Sequence, residues 1–115
     1  MKNLTFTFDE EIAIATMTVN GVEAATMGFD NPDKTCAKIG MAEIKKEFIG
    51  KGLYRFFLQG ILLMGFDSLF SNNRNEFSNP CWESWTGEEL DFNQGCSVCL
   101  NNDNSLYFCA EEEED

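Results

Sequence analysis

The chain of 115 residues carries 20 acidic and 8 basic side chains and no histidine, a net charge of −12. That length suits one domain with a single modest core, and eleven phenylalanines are ample to fill it, which excludes a disordered chain. The charge balance repels nucleic acid and anionic membrane, and the lack of histidine excludes Ser-His and Cys-His nucleophile pairs.

Leu4, Phe6 and Phe8 alternate with Thr5 and Thr7, the period of two that marks a strand. After a polar break at residues 9–11, Ile12, Ile14, Thr16 and Thr18 alternate with Ala13, Ala15, Met17 and Val19 in a second strand. Asn20-Gly21 predicts a type I′ hairpin turn, because both central positions of that turn need positive φ. The return strand covers residues 22–29, residues 30–33 turn again, and residues 35–44 form the next strand. Together they make an antiparallel meander.

Beyond it the pattern changes. The apolar strand gives way to a glycine turn, Gly50-Lys51-Gly52, and then to a helix. Leu53, Phe56, Phe57, Ile61 and Met64 fall on one helical stripe, widened by Leu58, Leu62 and Leu63, so this helix is expected to be buried on more than one side. Lys51, Tyr54, Arg55 and Gln59 supply its polarity. Gly60 costs about 1 kcal/mol relative to Ala inside a helix and points to close packing against a neighbouring strand. Gly65 caps the helix, and Phe66 opens the next element. Strand, turn, helix and strand read as a parallel crossover unit. Unpaired backbone N–H groups at its turn form a candidate anion cradle; the alternative is a glycine-assisted bend with no ligand.

Residues 71–78 read as a loop. Asn79 caps a short helix with Pro80 at its first position, residues 81–85 continue it, and Thr86-Gly87 end it. Trp82 and Trp85 share one face of that helix as core or interface anchors. Leu90-Asp91-Phe92 begins a strand, and residues 95–100 and 105–110 form a final hairpin. The domain therefore covers 1–110, followed by a solvated acidic tail over 111–115. No stretch approaches the roughly 18 apolar residues that span a membrane, and the N-terminus does not resemble a secretory signal. A cytoplasmic protein with reduced thiols is expected. Cys96-x-x-Cys99, with Cys81 and Cys109, offers a single CxxC whose members face opposite ways on a strand. Free thiols and no metal follow.

Glu47-Phe48-Ile49-Gly50-Lys51-Gly52-Leu53-Tyr54 resembles the acyl-CoA-binding turn of the GNAT superfamily of N-acetyltransferases. In that family a Q/R-x-x-G-x-G/A segment joins a strand to a long helix, and its amides receive the CoA pyrophosphate. Residues 38–46 (KIGMAEIKK) are similar to the family's fourth strand and residues 65–70 to the opening of its fifth. Asn79-Pro80, Trp82, Trp85 and Gly87 are similar to its final helix. The resemblance implies an α+β fold with a mixed, mainly antiparallel sheet, one long central helix and a short second helix. It also implies acetyl-CoA held by Phe48, Ile49, Gly50, Lys51, Gly52, Leu53 and Arg55, with Glu43 as the base for an amine acceptor. The alternative for Glu43 is an exposed strand acid. The chain departs from the family pattern at Glu47 (Gln or Arg there), Ile49 (often Arg) and Tyr54 (often a further glycine). The tyrosine that commonly serves as general acid aligns near Glu83. Asp9-Glu10-Glu11 stands where the family inserts two helices that help form the acceptor site.

A second function class fits the same residues. On such a scaffold the acidic surface and tail would occupy a basic, nucleic-acid-binding site on a partner protein, as a DNA-mimicking inhibitor of the phage or anti-restriction type does. Neither reading calls for direct nucleic-acid or membrane binding. An exposed strand edge near the N-terminus makes a homodimer a further expectation.

Overall fold

The alternating N-terminal pattern builds an edge strand in the computed structural model, which describes residues 3–111. In β1 (Leu4–Asp9) the apolar residues are half-buried and Thr5 and Thr7 are exposed. Strand β2 (Ile14–Val19) pairs antiparallel with it and buries Ala15, Met17 and Val19. It starts two residues later than the sequence pattern implied, because Ala13 takes a left-handed conformation (φ 55°) that ends the extended run; Ile12 is left 62% exposed. The expected turn follows, with Asn20 at φ 52° and Gly21 at φ 84°. Strand β3 (Val22–Asn31) then returns antiparallel to β2. It absorbs Asp30 and Asn31, so the next turn begins at Pro32, where Asp33 Oδ1 accepts the Thr35 N–H at 2.8 Å. Strand β4 (Ala37–Ile44) accordingly starts two residues later than expected.

The meander has two distinct faces. Phe6, Met17, Ala25 and Ile44 lie in register across one, as do Phe8, Ala15, Met27 and Ala42. The other carries Thr7, Thr16, Thr26 and Glu43 in one row, and Thr5 beside Thr18, whose hydroxyls hydrogen-bond across the strands. Threonine suits a solvated strand face, being β-branched and polar. Strands β1 and β2 are joined by a short turn, with no helix between them.

A 3₁₀ turn (Lys46–Phe48) and the glycine turn lead into α1 (Leu53–Leu63). The helix buries Leu53, Phe57, Leu58, Gly60, Ile61 and Leu62. Phe56 and Leu63, expected in the core, are 51% and 57% exposed: they project from the outer side of the helix together with Arg55. A Cβ on Gly60 would meet the Phe6 ring at 2.4 Å, so the bare backbone lets α1 settle on β1, as the sequence suggested. Because α1 touches both β1 and β6, near opposite ends of the sheet, the sheet curls around it.

Gly65 (φ 114°) ends α1. Phe66 does not open the next strand but anchors a cluster with Phe8 and Phe29, and β5 begins at Leu69 (Leu69–Ser71). Strand β5 runs parallel to β4, as a crossover unit requires, through only Ala37–Leu69 and Lys38–Phe70. The short helix α2 (Asn79–Thr86) ends at Gly87 (φ 77°). Its N-cap position is Ser78, not Asn79. The Asn79 side chain turns inward, accepting from Arg74 Nε at 2.7 Å and donating to the Leu90 carbonyl at 2.9 Å.

Residues 90–92 form no strand. The carbonyls of Asp91 and Gln94 turn instead to the buried Arg74 guanidinium, which also donates to the Ser71 carbonyl. The chain closes with the hairpin β6 (Cys96–Leu100) and β7 (Leu106–Ala110), giving a seven-stranded sheet in the order β1 to β7. The fold is thus α+β, with one parallel strand pair in an otherwise antiparallel sheet. Glu111 extends the ladder, its N–H bonding the Gly95 carbonyl at 2.8 Å; the rest of the acidic tail lies outside the described residues. No described helix is long and apolar enough to cross a membrane.

Candidate functional site

The site follows from the way β4 outruns β5. Strand β4 has eight residues, but only its first two pair with β5, so its C-terminal half lacks a neighbour on that side. Beside that end of β4 lies a cavity of about 640 Å³, bounded by the strand, the glycine turn, the first turns of α1, the loop leading into α2 and α2 itself. Met27 and Phe57, essentially fully buried, form part of its lining with Ala42, Ile44 and Leu53.

The glycine turn sits at the edge of this space. Gly50 (φ 81°) and Gly52 (φ 71°) adopt the left-handed conformation that a side chain resists, and Gly52 is the N-cap of α1. No described acceptor takes the N–H groups of Gly50, Lys51 or Gly52, and the first N–H groups of a helix have no partner within it. No side chain caps α1, and its first turn holds no acid. A Cβ on either glycine would meet nothing within 4 Å, so the space above the turn is open. These amides and the helix dipole favour an anion.

Of the residues the sequence singled out, Glu43, Phe48, Ile49, Gly50, Gly52, Leu53 and Arg55 line the cavity. Lys51 does not line it; it stands exposed on the turn. Glu47, the acid that departs from the resembling motif, does not line it either. Glu43 is exposed, with Oε1 3.7 Å from Lys45 Nζ, which lies 3.3 Å from Glu23 Oε2. Hydrogen bonding and charge from Glu23, then the charge of Glu43, hold the Lys45 ammonium above its ordinary value.

Several lining residues were not anticipated. Tyr54, in place of a further glycine, turns inward: its ring meets Trp85 edge-on at 5.1 Å and its hydroxyl accepts the Trp82 Nε1–H at 3.3 Å. Burial pushes the Tyr54 phenol above its ordinary value, and burial does the same to the Cys81 thiol beside it. Both groups are therefore uncharged at neutral pH. Phe77 also lines the cavity while remaining 79% exposed; a lone phenylalanine in the polar stretch 71–78 was the available signal.

Glu83 occupies the position to which the resemblance assigns a general acid. It faces away from the cavity: its Oε2 accepts the Leu90 N–H at 2.9 Å, and it borders an acidic bowl with Glu88, Glu89, Asp91 and Glu111. The five cysteines are free, and the described residues contain no cluster of three or more side chains suited to holding a metal ion.

No family model matches the chain, and no curated protein matches it. Among solved structures it is similar to Ard1 from Thermoplasma volcanium, at 14% identity over 88% of this chain and 72% of that one, with a TM-score of 0.45.

Proposed function

We propose that this chain is a GNAT-like domain that binds acetyl-CoA or a related acyl-CoA and passes the acyl group to an amine. The observation that carries the reading is a coincidence of place: unpartnered amides at residues 50–52 stand at the edge of the cavity beside the end of β4. The amides, with Lys51 and Arg55 close by in the chain, would receive the pyrophosphate. The thioester arm would run into the gap beside β4, where unpaired strand amides polarise its carbonyl. Glu43 borders the cavity from β4 with its carboxylate on the threonine face beside Lys45, and would swing from there to take the proton from the attacking amine. The test is thiol release from acetyl-CoA against a panel of amines. Amine-dependent release, slowed roughly a hundredfold or more in Glu43→Gln, supports the assignment of a base. Release that the substitution leaves untouched removes Glu43 from the mechanism.

A second reading has its own observation. The acidic bowl of Glu83, Glu88, Glu89, Asp91 and Glu111 contains no basic side chain, while the ion pairs among the described residues all involve Lys45. In this reading the domain is a non-catalytic acidic protein that covers a basic surface on a partner. Salt-sensitive capture of a nucleic-acid-binding protein with no thiol release would favour it over the first.

A further inference from the structure

We propose that the outer edge of β1 is a homodimer interface, at which a second copy of this chain adds its own β1 antiparallel across a two-fold axis. This contact is independent of what the glycine turn binds.

The hydrogen-bond register leaves β1 half used. The Asn20 N–H donates to the Asn3 carbonyl at 2.8 Å, and the register continues as Thr5–Thr18, Thr7–Thr16 and Asp9–Ile14. In an antiparallel ladder alternate residues bond the neighbour, so Leu4, Phe6 and Phe8 point their N–H and C=O groups outward. No described strand takes them, since β1 ends the sheet. Nothing blunts this edge either: β1 pairs without a bulge, and residues 4–8 contain no proline and no charge. The opposite edge is guarded. Strand β7 lies between Asp103 and Glu111, so antiparallel self-pairing there would bring acids of the two copies together.

The side chains beside the β1 edge are apolar. Phe56, Gly60 and Leu63 lie at i, i+4 and i+7 on one stripe of α1, and Gly60 seats on the Phe6 ring. Phe56 and Leu63 therefore flank the edge strand, and they stand 51% and 57% exposed. With the half-buried Leu4, Phe6 and Phe8 they form one uncharged surface on a chain of net charge −12.

That neutrality selects the occupant. Two acidic copies repel wherever their carboxylates face each other, so they meet at least cost on an uncharged patch. The edge is also self-complementary. With Phe6 opposite Phe6 on the axis, Leu4 faces Phe8 and Thr5 faces Thr7 of the second copy, while each Asp9 lies opposite Asn3. Apolar side chains then continue the face that carries α1, and threonines continue the other. The exposed halves of Phe56 and Leu63 and a strand edge of 6 residues together approach the roughly 500 Å² per partner that a specific interface needs.

The experiment is sedimentation velocity on the full chain from low to high micromolar concentration, over which the parent should pass from one chain to two. Leu63→Lys, at an exposed position, should weaken that association more than about tenfold, because the axis sets two such charges in the interface. Leu4→Pro, which removes an outward N–H and no bond to β2, should weaken it as well. Both variants should keep the circular dichroism spectrum of the parent. Mixing Thr5→Cys with Thr7→Cys chains, with the exposed Cys36 and Cys109 changed to Ser, reads the register. Oxidation should link unlike chains and spare unmixed ones. A parent that stays monomeric at high micromolar concentration would overturn the interface and leave the edge to a strand from another protein. A dimer equally tight in folded Leu63→Lys, or cross-links formed equally in unmixed chains, would overturn it too.

Discussion

Arg74 gives the sharpest test of how the loop wall of the cavity is held. It is 5% exposed, and its guanidinium meets no carboxylate among the described residues. It donates instead to Asn79 Oδ1 at 2.7 Å, to the Ser71 carbonyl at 2.8 Å, and to the Asp91 and Gln94 carbonyls at 2.8 and 2.6 Å. One side chain thereby ties the end of β5, the start of α2 and the turn before β6. Arg74→Lys keeps the charge but replaces a planar fork of donors with a single nitrogen, which cannot reach acceptors spread over three segments. At least two buried acceptors lose their partner. At about 1–3 kcal/mol each, the loss comes to roughly 2–6 kcal/mol for two. For a chain of this size, at roughly 4 °C per kcal/mol, that lowers the melting temperature by roughly 8–24 °C. Far-UV circular dichroism on heating, with urea unfolding for the free energy, measures it. If Arg74→Lys melts within a couple of degrees of the parent, the assignment of Arg74 as the tie between these segments is refuted.

Gly60→Ala should destabilise by roughly 1–2 kcal/mol, because the overpacking against Phe6 outweighs the gain in helix propensity. Shortening Phe6 to Val in the same chain should recover part of that loss; additive effects in urea unfolding would argue against the contact. Tyr54→Phe orphans the buried Trp82 N–H and should cost about 1–3 kcal/mol near neutral pH. The folded-state pKa of Tyr54 lies above its ordinary 10.0, so this group's stabilising contribution is complete below that value and is lost as pH rises through the folded one. The stability gap between parent and Tyr54→Phe should therefore hold up to about pH 10 and narrow only as pH rises beyond it; a constant gap would contradict the buried phenol.

The parts of this fold written in local pattern were legible in the sequence. Alternation marked β1 and β2, the turns at Asn20-Gly21 and residues 30–33 delimited β3 and β4, and the crossover was readable from strand, glycine turn and helix in succession. The close approach behind Gly60 was also legible, since a glycine inside an apolar helix needs a reason. What failed depended on partners distant in the chain. Nothing local marks Arg74 in the run Asn72-Asn73-Arg74-Asn75 as buried, because its acceptors lie as far away as residue 94. The same network drew Asn79 away from its capping role and kept residues 90–92 out of the sheet. Phe56 and Leu63 misled because apolarity alone does not say which way a helix turns once a curled sheet holds it. At the cavity, the motif singled out the turn and Glu43, which border it, but not Tyr54 and Phe77, because their place depends on α2 closing over α1.

If the amides of the glycine turn receive a CoA pyrophosphate, acetyl-CoA binding must depend on that turn. Titration calorimetry with acetyl-CoA, on the parent and on Gly50→Glu/Gly52→Glu, tests it most directly. The expected result is micromolar binding that the double variant abolishes while its circular dichroism spectrum is unchanged. No heat from the parent at millimolar acetyl-CoA, or equal binding by the folded double variant, would contradict it.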